Sequence, residues 1–270
     1  MKAAGWLARG TVCLLAALCA GCASTASVQA RIADIRREHG VAVRADNPLS
    51  RCYLCGNLPG LLDRIDRDLS RTPAFFKANI GPVVIEKSFA DNGAAYPFPL
   101  LVRGYVDPAE AGQGFPIHIK NRSLLQKVLL MAPRDGELLL HEASHSFEFT
   151  IYTEQPERWR RFLAEFESAG GPGYLPPHVG PLAYAAAATV LPPVAYMRVA
   201  GMPSLYGWLN HFDDFAETHG YIVRHGNDVG FLAQADPVLF AKCRAVQRLL
   251  EEGPAAAGAR GDHALADSGE

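Results

Sequence analysis

His141-Glu142-Ala143-Ser144-His145 is the stretch on which the reading of this chain turns. On a helix, positions 141 and 145 lie one turn apart on one face, so two imidazoles can reach one metal ion. Glu142 is rotated about 100° from His141, placed to touch a water on that ion rather than to bind it. The pattern predicts zinc (Zn2+), which lowers the pKa of a bound water. The carboxylate then takes the proton as that water attacks a carbonyl. A random chain of this composition, with its 9 histidines, would show the pattern roughly 0.02 times. Two surface histidines on an amphipathic helix are the competing reading.

The flanks agree with a helix. Asp135 and Gly136 can start it, and Leu138, Leu139, Leu140, Ala143, Phe147 and Ile151 supply apolar residues at spacings of three and four. A histidine pair embedded among leucines needs partners, and a metal satisfies two imidazoles at once. Pro156 marks a fresh N-terminus, so residues 156–169 read as a second helix.

A catalytic zinc site takes three protein ligands and leaves one position open. Position 151 is Ile and position 148 is Glu, so no third histidine follows six residues after His145. The third ligand is therefore expected as a carboxylate from a later helix. The best segment is 205–221, where Asp213 and Glu217 stand four apart on one helical face while Phe212, Phe215 and Ala216 can pack inward. Each residue has a plainer reading. Asp213 and Asp214 suit the first turn of any helix, Glu217 could be solvated, and Tyr206 could be a core tyrosine.

HExxH, then Tyr206, then seven residues later an acid within Asp213-Asp214-Phe215-Ala216-Glu217, resembles the lethal-factor-type gluzincin peptidases. Their relatives include the Pro-Pro endopeptidases and bacterial lipoproteins. The resemblance spans residues 135–225, about a third of the chain. HExxH itself is shared widely among zincins, whereas the spacing from the tyrosine to the acidic helix is far more specific. The resemblance implies Asp213 as the third zinc ligand, Glu217 as the holder of a zinc-bound histidine, and Tyr206 as stabiliser of the oxyanion. The family has Glu at the ligand position. With Asp here, the helix must approach by about 1 Å more, and Glu217 stays open as the alternative ligand, with Asp214 and His219 behind it.

The N-terminus reads as a targeting segment. Lys2 and Arg9 precede a short apolar run, too short for a membrane-spanning helix, and Leu18-Cys19-Ala20-Gly21-Cys22 approximates a lipoprotein box with Cys22 as the acylated residue. That predicts export and lipid anchoring in the cell envelope, with the outer membrane as default. Of the remaining cysteines, Cys52 and Cys55 are expected to form a local disulfide, and Cys243 to be a buried small residue. A net charge of −2 and the absence of a basic run interleaved with aromatics exclude an electrostatic case for nucleic acid. A hydrophobic share of 49% with 20% charged residues is ordinary for a globular protein.

Punctuation gives the organisation. Residues 1–21 form the signal peptide, 22–45 a tether and N-terminal helix (32–39), 46–253 one catalytic domain, and 254–270 a small, polar tail without a packed core. Within the domain, 61–69 reads as an amphipathic helix, 83–87, 100–106 and 115–120 as strands, and 123–131 as a helix or its approach. Residues 170–204 are a Pro- and Gly-rich insert, and 240–252 a closing helix. The expectation is an α+β, zincin-like fold: a small mixed sheet, the HExxH helix, then a second ligand-bearing helix. Its implied activity is hydrolysis of peptide bonds in a peptide or protein substrate. The rivals are a non-catalytic zinc-binding envelope lipoprotein and a zinc hydrolase of a cell-wall amide.

Overall fold

The computed structural model describes residues 25–45, 58–87, 104–121, 138–171, 198, 200–204, 207 and 210–251. In chain order these give α1 (Thr25–His39), β1 (Val43–Ala45), α2 (Leu58–Ser70), α3 (Ala74–Ala78), β2 (Val83–Lys87), β3 (Gly104–Val106), a 3-10 turn (Pro108–Gln113) and β4 (Ile117–Asn121). After them come α4 (Leu138–Glu154), α5 (Pro156–Ala169), α6 (His211–His225), a second 3-10 segment (Gly226–Phe231), α7 (Leu232–Ala235) and α8 (Pro237–Glu251). The fold is mixed α+β, mostly helical, with a small mixed sheet. No described helix is long and apolar enough to cross a membrane.

The four strands run in the order β1-β2-β4-β3, with β1, β2 and β4 parallel and β3 antiparallel along one edge. Val83, Ile85, Ile117 and Ile119 alternate onto one face and enter the main core with Leu139, Ala143, Phe147 and Ile151 of α4. A ring system closes that core. Phe147 stacks on Phe76 at 5.0 Å, and Phe215 of α6 packs edge-on against Trp159 and Phe162 of α5. Each such side chain contributes about 1.5–3 kcal/mol by burial, so the aromatic cluster fixes α4 against α6.

Two serine bonds pin α4 to the sheet. Ser146 Oγ donates to the Phe115 carbonyl (2.7 Å) and accepts from the Gly81 N–H (2.8 Å). Gly81 tolerates no side chain, since a Cβ there would lie 2.2 Å from the Gly114 carbonyl oxygen.

The structure departs from the sequence expectations at several edges. Residues 25–45, expected as a tether leading into a helix over 32–39, are helical from Thr25 and then supply β1, the first strand of the sheet. Val28 and Ile35, seven residues apart, are both buried, which draws the helix onto the core. Helix α2 starts at Leu58 rather than 61, because Leu58 joins Leu61, Leu62, Ile65 and Leu69 on the buried face. Strand β4 starts at Ile117, not Phe115, because Phe115 has φ +56° and turns the chain just before pairing begins. Helix α8 begins at Pro237, earlier than residue 240. The expected signal segment, Cys22, Cys52, Cys55, the 123–131 segment, most of the 170–204 insert, Tyr206 and the 254–270 tail lie outside the described residues.

Candidate metal centre

Helix α4 carries both histidines, and α6 crosses it to bring an acid to the same point. His141 Nε2 and His145 Nε2 stand 3.1 Å apart, and Asp213 Oδ1 lies 3.4 Å from the first and 3.5 Å from the second. Ligand atoms held at about 2.0–2.2 Å by tetrahedral zinc are separated by about 3.3 Å. The triangle therefore has the size that one such ion requires.

Asp213 is aimed by the start of its own helix. Asn210 caps α6, its side-chain oxygen accepting from the Asp213 N–H (2.9 Å) and its amide donating to Asp213 Oδ2 (2.5 Å). Oδ1 is left facing the two rings. The position in the first turn of α6 also favours an ionised carboxylate. Burial alone would raise the Asp213 pKa, but hydrogen bonds with His141 and His145 outweigh it and hold the pKa far below the ordinary range.

The outer nitrogens of both rings meet carboxylates as well. His141 Nδ1 donates to Glu217 Oε1, and His145 Nδ1 donates to Glu148 Oε2, each at 3.1 Å. Glu217 is itself held by Ser204, whose hydroxyl donates to Oε2 at 2.7 Å. With both Nδ1 atoms protonated, the neutral imidazoles turn the lone pairs of Nε2 toward each other and toward Asp213 Oδ1. Three lone pairs at this separation repel unless a cation sits among them, and two nitrogens with one carboxylate oxygen are a donor set that zinc accepts. Without a metal, protons fill that role. Burial disfavours each imidazolium, yet Asp213 and the outer carboxylates overcome it and raise both pKa values, so metal binding would expel protons.

Glu142, next to His141 in sequence, lies under the edge strand. A Cβ on Gly104 of β3 would come within 2.8 Å of Glu142 Cγ, so the glycine makes room for this carboxylate. The rings of His141 and His145 keep 14% and 16% of their side-chain surface exposed while Asp213 keeps 6%.

The structure thus brings together His141, His145 and Asp213, with Glu217 on the outer nitrogen of His141. Glu217, the alternative ligand, holds a ring instead of facing the shared point. The other two alternatives are engaged elsewhere. Asp214 accepts from Lys242 Nζ (2.7 Å), and His219, fully buried between Phe76 and Phe215, bonds Ser144 Oγ (2.8 Å). Tyr206 lies outside the described residues.

Three participants went unread in the sequence. Glu148 sits one turn beyond His145 on the same face, a spacing that could have marked it as the partner of that ring. Asn210 carries an N-cap signal three residues before Asp213. Ser204 had no local signal, because its bond to Glu217 depends on how the preceding segment is held.

Comparison with protein-family models, curated proteins and solved structures finds no match to this chain.

Proposed function

We propose that this chain is a zinc metallopeptidase of zincin-like architecture, anchored in the cell envelope through lipid on Cys22. The observation that carries the reading is the convergence of His141 Nε2, His145 Nε2 and Asp213 Oδ1 on one point beside Glu142. The resemblance to lethal-factor-type peptidases, carried by these same residues together with Tyr206 and Glu217, points the same way. Zinc, when bound, would supply Lewis acidity and a water of lowered pKa.

The chain's own groups do the remaining work. Glu142 takes a proton from the attacking water as oxygen bonds to the scissile carbonyl carbon. It then returns that proton to the leaving amine as the C–N bond breaks. Glu148 and Glu217 fix the tautomer and tilt of the two rings. Tyr206 donates to the carbonyl oxygen as it gains charge, a role taken from the family resemblance.

The test is cleavage of a diverse peptide library by the zinc-loaded protein, read by mass spectrometry beside Glu142→Ala. The expected result is defined cuts by the parent protein and a loss of about 10²–10⁴-fold in the variant, with zinc content unchanged. Cleavage that survives in Glu142→Ala would refute the mechanism. A folded, zinc-loaded parent that cuts no peptide would replace it with the non-catalytic binder or the wall-amide hydrolase.

A further inference from the structure

Helix α8 grips a single residue of the segment that leads to the metal centre. Asp236 caps α8, its Oδ1 accepting from the Leu239 N–H at 3.0 Å, and the same carboxylate accepts from the Gly201 N–H at 3.0 and 3.2 Å. One turn along, Lys242 Nζ donates to the Gly201 carbonyl at 2.9 Å and to Asp214 Oδ2 at 2.7 Å. Both polar groups of one peptide residue are therefore held from one helix. Gly201 has φ +78°, and a Cβ there would meet Val238 Cγ1 at 2.8 Å, so only glycine fits between this grip and the helix. Three residues later, Ser204 donates to Glu217, which holds His141.

Stability does not account for the Lys242–Asp214 pair. Both side chains are fully buried, and an ion pair in that setting is commonly matched or bettered by apolar side chains of equal volume. What apolar residues could not do is hold the Gly201 carbonyl. We propose that Lys242 and Asp236 are positioning residues for the metal centre, setting Ser204 against Glu217 and through it the ring of His141. This inference rests on the metallopeptidase reading of that centre.

The test is a double-mutant cycle read as zinc affinity, measured by competition with a chromogenic chelator on the full chain. Ser204→Ala should weaken zinc by about 10-fold, the scale for losing an outer hydrogen bond to a ligand. Lys242→Met should weaken it by a similar factor, and the double variant no further than Ser204→Ala alone, because both act through one bond. A purely structural lysine would lower thermal stability and leave zinc affinity at the parent value. Parent-like affinity in Lys242→Met, or losses that multiply in the double variant, would overturn the proposal. Asp236→Asn, which keeps the side chain's shape while loosening its hold on the Gly201 N–H, runs the same cycle if Lys242→Met does not fold. A parent protein that fails to bind zinc sinks the metallopeptidase reading itself. A zinc-binding, peptide-cleaving parent with an unresponsive Lys242 sinks only this inference.

Discussion

Two histidine–carboxylate clusters lie on opposite faces of the sheet. On the α4 side, each imidazole gives Nδ1 to one carboxylate, Glu217 or Glu148, and turns Nε2 toward a shared point. On the other side, His118 of β4 gives both nitrogens away, Nδ1 to Glu86 and Nε2 to Glu110, each at 2.7 Å. Tyr105 stacks flat on the His118 ring (4.4 Å) and donates its hydroxyl to Glu86 (2.8 Å). Strand alternation separates the two clusters: Gly104 faces Glu142, so its neighbour Tyr105 and the cross-strand partner His118 face away. Composition alone would rank them alike. The difference is that one cluster leaves ring nitrogens facing a common point, and the other saturates its ring and becomes a charged clamp across three strands.

The sharpest way to break this comparison is to remove carboxylates from both clusters, one at a time. Glu217→Gln and Glu148→Gln keep the shape but weaken the acceptor at Nδ1, and each should cost about 10–100-fold in zinc affinity. Glu110→Gln, made in parallel, should leave zinc affinity at the parent value. Competition with a chelator reads all three. Equal losses in all three variants would mean that both clusters feed the same site, and the distinction between a shared point and a saturated ring would fall.

A smaller effect is expected where the edge strand meets Glu142, the proposed general base. Gly104→Ala places a methyl group 2.8 Å from Glu142 Cγ, so either the side chain or β3 must give way. Misplacement of a reacting group by about 1 Å can cost up to about 10²-fold in rate, and roughly a tenfold fall in kcat is expected for this flexible side chain. Zinc affinity should not change, because Glu142 binds no metal in this reading. Loss of zinc together with kcat would place Glu142 among the ligands.

What could be read from the sequence divides along the same line as these effects. The candidate ligands and the holder of one ring repeat at helical spacing, four residues from His141 to His145 and four from Asp213 to Glu217, so local geometry announces them. Glu148 has the same kind of spacing, but position 148 enters the sequence reading only in excluding the extended motif with a third histidine, never as the partner of a ring. The sheet cluster was out of reach for a different reason. Glu86, Tyr105 and His118 meet only because β2 and β3 both flank β4 in one register, and nothing local states which strands pair. Strand β1, three residues long, is a strand only by virtue of its parallel partner. The grip of Asp236 and Lys242 on Gly201 likewise joins segments far apart in sequence.

The smallest expected effect is in the dependence of stability on pH, and it belongs to the saturated cluster. Burial by itself lowers the His118 pKa, but hydrogen bonds to Glu86 and Glu110 outweigh it and the net shift is upward from 6.5. A raised histidine stabilises the fold fully below about pH 6.5, and that contribution is lost as pH climbs through the folded-state pKa. Glu86 runs the other way. Burial raises its pKa, yet His118, Tyr105 and the charge of Lys120 bring it below 4.5, so its contribution is complete above about pH 4.5 and is lost as pH falls. The two windows overlap between about pH 4.5 and 6.5, where the clamp should be strongest. Melting temperature followed across pH should therefore decline above pH 6.5 in the metal-free parent by more than in His118→Gln, whose glutamine does not titrate. The two curves should converge at high pH, once the parent imidazolium has lost its proton. A His118→Gln curve that stays parallel to the parent throughout would show that the ring is held by packing on Tyr105 rather than by its charge.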